Sequence, residues 1–161
     1  MDREILIKAK AKNWKELPKE QWWIYGSHCI RKTGRYTNIG FEEEYKDCII
    51  KEFSDGGITF CDVDPKTICR CTGKEYMNCE VAYEGDIFES QSCGLRMVLK
   101  YGTYQAYCPA DKCYMDSVGF YAEAIGYQQM PIGDLKDYAL KIGNIFDNPE
   151  LLEVHNEKEN R

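Results

Sequence analysis

Turn-forming residues at short intervals constrain the fold of this chain more than any other feature of its sequence. Residues 48–53 and 58–63 are apolar and β-favouring, and Ser54-Asp55-Gly56-Gly57 separates them. Asp and Gly tolerate the positive φ of a tight hairpin turn, so this pattern predicts two antiparallel strands joined there. Similar segments, separated by turn signals about every 8–12 residues, continue along the chain. The sequence therefore predicts a mainly β fold, as a small barrel or a sandwich.

Other elements are predicted from the same kind of pattern. Further strands are expected over residues 5–10, 22–26, 67–72, 87–88, 95–108, 118–125 and 138–145. Residues 31–40 are polar and contain two glycines, which predicts a loop or hairpin region. Near the C-terminus, Asn148 as N-cap, Pro149 at the first helical position and Glu150 in the first turn predict a short helix. The predicted class is therefore a β-rich α+β fold.

Length, charge and hydropathy narrow the class of protein. The chain has 161 residues, which predicts one domain or one domain with a small appendage. Its formal net charge of −6 argues against a protein built to bind the DNA backbone, which needs a basic face. No apolar run approaches the roughly 18 residues of a membrane span, and residues 1–12 lack the apolar region of a signal peptide. We therefore expect an intracellular protein that contacts no membrane.

The cysteines raise the question of disulfides or metal, because there are nine of them. Without a secretory signal we expect free thiols, most of them acting as small apolar side chains. A zinc knuckle needs two regularly spaced cysteine pairs. Here one residue separates Cys69 from Cys71, and four separate Cys108 from Cys113, so neither pair is a regular knuckle. Cys69 and Cys71 would share a strand face, which leaves a zinc-stabilised structural or assembly protein as one alternative.

The sequence lacks a catalytic constellation. His155 lies in a charged C-terminal stretch, and His28 adjoins Cys29, whose side chain would point to the opposite face of a strand. Acidic pairs such as Asp62 and Asp64 arise by chance among 27 acidic residues. No phosphate-binding glycine motif occurs. We therefore predict a protein that is not an enzyme, with no catalytic residues, no metal ligands and no cofactor.

Binding is better supported, because aromatic residues make up 13% of the chain and cluster in two regions. Aromatic side chains are enriched at interfaces and stack on bases or peptides. On an extended strand Arg96 and Lys100 would form a basic face able to meet a phosphate or an acidic partner. The alternative is that the rings fill the core and the basic face is a solvated edge. The candidate ligand- or partner-binding residues are Trp22, Trp23, Tyr25, Arg96, Lys100, Tyr101 and Tyr104.

Three passages of the chain resemble the YopX protein family of phages and prophages. The first consists of residues 3–10 with Trp23-Ile24-Tyr25-Gly26-Ser27. The second runs from Thr72-Gly73-Lys74 to Tyr83-Glu84-Gly85-Asp86-Ile87, with Cys71 where the family pattern has a tyrosine. The third is Ile142-Gly143-Asn144-Ile145-Phe146-Asp147-Asn148-Pro149-Glu150-Leu151-Leu152. Together the passages extend over residues 3–152.

The resemblance implies a β-rich fold with an SH3-like barrel and a tendency to oligomerise. On this basis we expect residues 1–64 to form an N-terminal β-rich oligomerisation segment. Residues 65–154 would form the SH3-like barrel region with the C-terminal helix, and residues 155–161 a charged tail. The family has no established general activity, so no catalytic residues carry over from it.

The resemblance, the missing catalytic constellation and the aromatic excess together predict the function. We expect a phage- or prophage-encoded, non-enzymatic binding protein that acts as a homo-oligomer in the host cytoplasm, in host manipulation or anti-defence. Its partner would be a host immune protein, or a small nucleotide signal that it sequesters. A nucleic-acid-associated small-barrel module is the other alternative, although the acidic balance argues against nucleic acid as the partner.

Overall fold

Strands joined by tight turns make up the computed structural model, which describes residues 6–153. The predicted mainly β class is confirmed, because the chain forms two antiparallel sheets, one of them curled into a half-barrel. The helical segments of the described residues are all short 3-10 turns. The chain divides into two compact units, Met1–Cys71 and Thr72–Arg161. The predicted charged tail, residues 155–161, lies outside the described part of the chain.

The first unit is an antiparallel sheet with one long hairpin. Its strands follow the order β4-β3-β2-β1-β5, and β5 continues into the second unit. The predicted hairpin around residues 54–57 is confirmed as the β3–β4 pair. The strands are β1 (Ile7–Lys10), β2 (Trp23–Thr37), β3 (Gly40–Glu52), β4 (Ile58–Asp62) and β5 (Cys69–Glu75), with 3-10 turns at Trp14–Glu16, Lys19–Gln21 and Pro65–Thr67.

One face of this sheet carries the core of the first unit. Ile7 and Ala9 lie on one face of β1 and Lys8 and Lys10 on the other, and all four side chains are buried. They pack with Ile49 and Val63 in a buried cluster, and Ile24 and Ile68 lie partly buried against it. The side chains of β2 and β3 that contact this cluster therefore show which face of those strands is the apolar one.

The second unit contains a five-stranded sheet of order β10-β9-β8-β7-β11. Its core is a larger cluster that includes Tyr76, Phe88, Leu99 and Leu135, each fully buried. The strands of this sheet are β7 (Asp86–Ser90), β8 (Arg96–Cys108), β9 (Cys113–Glu123), β10 (Met130–Pro131) and β11 (Ala139–Asn144), with 3-10 turns at Leu135–Asp137 and Pro149–Leu152. The short strand β6 (Val81–Tyr83) lies outside this sheet and pairs with β5.

A buried carboxylate anchors the tight turn that begins β7. Asp86 is fully buried and accepts hydrogen bonds from the Tyr83 backbone N–H at 2.9 Å and from the Tyr76 hydroxyl at 3.3 Å. The Lys141 ammonium lies 3.3 Å from the same carboxylate. Burial and the neighbouring Asp86 charge raise the pKa of Tyr76 far above its ordinary value. The Tyr-Glu-Gly-Asp segment is therefore a structural turn.

The predicted C-terminal α-helix is wrong, and with it the α component of the predicted class. Pro149–Leu152 forms a 3-10 turn, and the Asn148 side chain makes no cap hydrogen bond. Asn144 organises this segment instead, because its Oδ1 accepts the backbone N–H groups of Phe146 and Asp147 at 2.9 and 3.0 Å. The backbone becomes extended at Glu153, so the turn does not propagate into a helix.

The region predicted as a loop or hairpin at residues 31–40 is a hairpin. Strand β2 continues to Thr37 and pairs with Gly40 of β3, so that the connection consists of Asn38 and Ile39. The Thr37 hydroxyl group donates to the Gly40 carbonyl at 2.9 Å across this turn. The polar residues of the region are therefore strand residues, which places their side chains on two defined faces.

Candidate functional site

Trp22 and Trp23, two of the predicted binding residues, surround a buried lysine. Lys10 is 1% exposed, and its Nζ lies 3.9, 4.4 and 5.5 Å from the ring centroids of Trp14, Trp22 and Trp23. The Trp14 and Trp22 rings meet edge to face at 4.9 Å. A cation above the face of an indole ring is attracted by the ring's quadrupole. The two tryptophans therefore already hold a cation that belongs to the chain itself.

Tyr25 shares a sheet face with this tryptophan cluster. In the β1–β2 register Lys8 lies opposite Tyr25 and Lys10 opposite Trp23. Lys8 is buried as well, and its Nζ is 4.9 Å from the Trp23 ring centroid. Tyr25 is half-exposed. Of the three predicted residues in the first unit, Tyr25 therefore offers the most surface to a partner.

Acidic neighbours neutralise the predicted basic face of β8. Lys100 Nζ lies 2.8 Å from Glu123 Oε2, and Arg96 Nε lies 3.4 Å from Glu89 Oε2. Arg96 also donates to the Leu151 carbonyl at 3.4 Å. Because each cation has a carboxylate beside it, the local field that would attract a phosphate is small. The geometry therefore favours a solvated, ion-paired face over an anion site.

The two predicted tyrosines of β8 lie on opposite faces of the sheet. Tyr104 is buried and stacks on Tyr121, with the ring centroids 4.9 Å apart and the planes 18° apart. Tyr101 meets Phe120 edge to face at 4.9 Å and remains exposed on one side. The seven predicted residues therefore do not form one site: three belong to the first unit, and four are spread over both faces of β8 in the second.

Sequence reasoning missed the apolar surface of the long β2–β3 hairpin. Strand β1 pairs with β2 from Trp23 to Gly26, whereas β3 pairs with β2 as far as Thr37. We call residues 28–37 and 40–47 the β2–β3 arm. Large apolar side chains are exposed along it, with Tyr36 at 88%. These side chains are Ile30, Tyr36, Phe41 and Tyr45, and Ile39 stands in the turn.

The β2–β3 arm has one apolar face and one charged face. Residues directly opposite each other in an antiparallel pair have their side chains on the same face. The register places Tyr36 with Phe41 on one face, and their rings meet edge to face at 5.1 Å. The same face carries Ile30, Tyr45, the Lys32–Glu43 ion pair and the His28–Asp47 pair, and the other carries Arg31, Thr33, Arg35, Glu42, Glu44 and Lys46.

The apolar face of the arm continues the core face of the first unit. Ile24 and Ile49 point to this face and pack in the buried cluster. Farther along the same face Phe41 lies against Gly34, and an added Cβ at Gly34 would overlap the Phe41 ring. The face of β2 and β3 that is apolar at the buried cluster therefore continues beyond it, and there its aromatic rings are exposed to solvent.

The distal part of the β8–β9 hairpin also carries exposed rings. Tyr107 lies opposite Tyr114, with the ring centroids 5.4 Å apart. Val118 is exposed on the same face of the sheet. Between them, Gln105 and Asp116 form a hydrogen-bonded cross-strand pair. The rings of this face are less exposed than those at the end of the β2–β3 arm, where Tyr36 is 88% exposed, so the arm is the better candidate for an interface.

The nine cysteines are free thiols that differ greatly in exposure, from the buried Cys48 and Cys69 to the exposed Cys79, Cys93 and Cys113. Cys48 donates to the Asp62 carboxylate at 3.2 Å, and burial together with that carboxylate raises the pKa of the thiol to about 11. In the part of the chain that the structure describes, no cluster of three His, Cys, Asp or Glu side chains has a metal-binding arrangement.

Comparison with known proteins adds no family to these observations. No protein-family model and no curated protein matches the chain. Among residues 6–153, no helix has the length and apolar character needed to cross a membrane.

Proposed function

We propose that this protein is a phage- or prophage-encoded, non-enzymatic binding protein that acts as a homo-oligomer in the host cytoplasm. The observation that carries the proposal is the apolar face of the β2–β3 arm. Patches of exposed apolar side chains rimmed by polar residues mark sites of protein association. The resemblance of residues 3–152 to the YopX pattern supports the phage origin.

The occupant of the apolar face of the arm is a second copy of this chain. A two-fold interface places the same patch on both subunits, so the patch must complement itself. The face carries the Lys32–Glu43 pair, whose charged atoms are 2.6 Å apart, and the His28–Asp47 pair, whose polar atoms are 2.7 Å apart. Two such faces packed about a two-fold axis bring Lys32 of each copy towards Glu43 of the other. A face of large apolar side chains that carries two carboxylates and a single lysine fits a second copy better than it fits a polyanion.

The second unit supplies the remaining part of the proposal. We assign the SH3-like barrel to residues 65–154, and the five-stranded sheet around its own buried cluster supports that assignment. A phage protein of this kind acts in host manipulation or anti-defence as a stoichiometric binder, which needs affinity and no turnover. Its target is a host immune protein or a sequestered nucleotide signal.

Native mass spectrometry tests the oligomer. The full-length wild-type protein is expected to be a dimer or a higher oligomer. The double variant Tyr36→Ser, Phe41→Ser is expected to be a monomer, because it removes the pair of rings that meet edge to face on the apolar face. A matched control is Thr33→Ala, Glu44→Gln on the charged face, which should keep the oligomer. A monomeric wild type, or a double variant that assembles like the wild type, overturns the assignment of the arm.

Infection assays test the function. Bacteria that carry a defined anti-phage defence system are expected to show a higher plating efficiency of a sensitive phage when they express this protein. Bacteria without a defence system provide the control, because the protein should leave their plating efficiency unchanged. Isothermal titration against the defence proteins and their nucleotide signals then identifies the target. Unchanged plating across a panel of defence systems, together with flat titrations, contradicts the anti-defence proposal.

A further inference from the structure

Two cysteines face each other at the end of the β8–β9 hairpin. Cys108 and Cys113 are the last residue pair of the antiparallel register, and residues 109–112 form the loop between them. Directly opposite residues of an antiparallel pair have Cα atoms about 4.5–5.5 Å apart, inside the range of about 4.4–6.8 Å that a disulfide spans. The backbone therefore holds the two thiols in register for a bond.

Both thiols can be reached from solvent. Cys113 is exposed and Cys108 is partly exposed. The Cys108 thiol donates a weak hydrogen bond to the Asp111 carboxylate at 3.5 Å within the loop. A change of the Cys108 rotamer would break this weak contact. The side chain can therefore turn towards Cys113 at little cost.

A second facing pair in the same chain has the opposite character. Cys29 and Cys48 lie opposite each other in the β2–β3 register. Cys48 is fully buried and its thiol donates to Asp62, which keeps it protonated because its pKa is raised to about 11. A protonated, buried thiol is a poor nucleophile. The two pairs therefore share a backbone geometry and differ in accessibility and ionisation.

We propose that Cys108 and Cys113 form a reversible disulfide by exchange with a low-molecular-weight disulfide, which makes the β8–β9 hairpin end a thiol-modification site. The Cys113 thiolate attacks one sulfur of the external disulfide, whose S–S bond breaks and releases one thiol. The Cys108 thiolate then attacks Cys113 Sγ in the mixed disulfide and releases the second thiol. Overall the protein loses two electrons and two protons, and the external disulfide gains both to become two thiols.

A disulfide at this site is easily reduced. An exposed disulfide at a hairpin end is open to attack by an external thiol, so it reverses when the thiol pool is reducing. Tyr107 and Tyr114 form the neighbouring cross-strand pair. Oxidation therefore fixes the spacing of the strands beside these two exposed rings.

Peptide mapping of the full-length protein tests the proposal. The protein is equilibrated with oxidised and reduced glutathione at a series of ratios, free thiols are alkylated under denaturing conditions, and the product is digested with trypsin without reduction. Trypsin cuts after Lys100, Lys112 and Lys136, so residues 101–112 and 113–136 each contain one cysteine. The expected result is a linked pair of these two peptides, formed at a lower oxidant ratio than any link between Cys29 and Cys48.

Two variants make the outcome decisive. Cys113→Ser should leave Cys108 with glutathione as a stable mixed disulfide, because no second thiol faces it. Cys93→Ser should leave the linked peptides unchanged, because that exposed thiol lies elsewhere on the chain. The proposal is overturned if Cys108 and Cys113 stay reduced at ratios that oxidise other cysteines. It is also overturned if wild-type protein carries glutathione on both cysteines without the link, or if Cys29 and Cys48 oxidise first.

Discussion

Single residues of this chain hold polar groups in places where water is excluded. Lys10 is the clearest case, since three indole rings stand in for the water that its ammonium group has lost. The hydroxyl group of Tyr76 is held in the same way by the carboxylate of Asp86. In both cases an aromatic side chain has an intramolecular partner. Aromatic content therefore overstates the surface available to ligands.

The pKa of Tyr76 gives the protein an alkaline limit of stability. Burial and the Asp86 charge raise this pKa above its ordinary value of 10.0. Above about pH 10 the unfolded state loses the phenolic proton while the folded state keeps it, so the free energy of unfolding falls as pH rises. A single group contributes at most about 1.4 kcal/mol per pH unit. Chemical denaturation between pH 7 and pH 11 should show this decline.

The Tyr76→Phe variant separates this effect from general alkaline unfolding. Its free energy of unfolding at pH 7 should be about 1.5–3 kcal/mol lower than that of the wild type, because a buried hydrogen bond to a charged group is removed. Its decline above pH 10 should be flatter than that of the wild type. Burial of Tyr138 also raises its pKa, so some decline remains. The control is Tyr36→Phe, at an exposed ring; a Tyr76→Phe curve parallel to the wild type would contradict the assignment.

At the scale of elements, tertiary contacts decide where strands and turns begin and end. The segment after β11 illustrates this, because Gly143 lies against the 3-10 turn Pro149–Leu152. An added Cβ at Gly143 would lie 2.7 Å from Asn148 Oδ1 and 2.8 Å from Leu151 Cδ1. Pro149 and Glu150 do favour a helical start, but the close approach to Gly143 and the bonds to Asn144 fix a single turn there.

The Gly143→Ala variant should therefore be destabilised by about 1–3 kcal/mol, the cost of overpacking a close contact. Thermal denaturation followed by circular dichroism measures the loss. The control is Gly57→Ala, where the nearest atom to an added Cβ is the end of the exposed Asp55 side chain at 3.0 Å. A Gly143→Ala protein that melts with the control would show that Asn148 and Leu151 relax without cost.

Local patterns predict much of this fold and little of its candidate surface. The hairpin at residues 54–57 and the strand class follow from turn chemistry and alternation, both of which are local. The β2–β3 arm was missed as an apolar surface because Lys32 and Gly34 interrupt the alternation between Ile30 and Tyr36. The ion pairs of Arg96 and Lys100 depend on register, which places Glu89 and Glu123 beside them. Register and burial depend on the whole sheet, so the sequence of a single segment does not predict them.

For the whole molecule, net charge and surface distribution agree on the class of partner. The formal charge is −6, and the predicted basic face on β8 is ion-paired. The apolar face of the arm carries Lys32, Glu43 and Asp47, with His28 beside Asp47. An acidic molecule whose exposed apolar face has more carboxylates than lysines is poorly suited to the nucleic acid backbone.

The β2–β3 arm also governs how the protein behaves at high concentration. Among the described residues, the strand segments 30–37 and 40–45 pair only with each other, so both outer edges of the hairpin offer free backbone groups. Open edges beside an apolar face are the usual starting point of aggregation. Charged side chains on the other face, such as Arg35 and Glu42, oppose this aggregation. Near the sequence pI of about 5.1 repulsion between molecules vanishes, and precipitation should start from this hairpin.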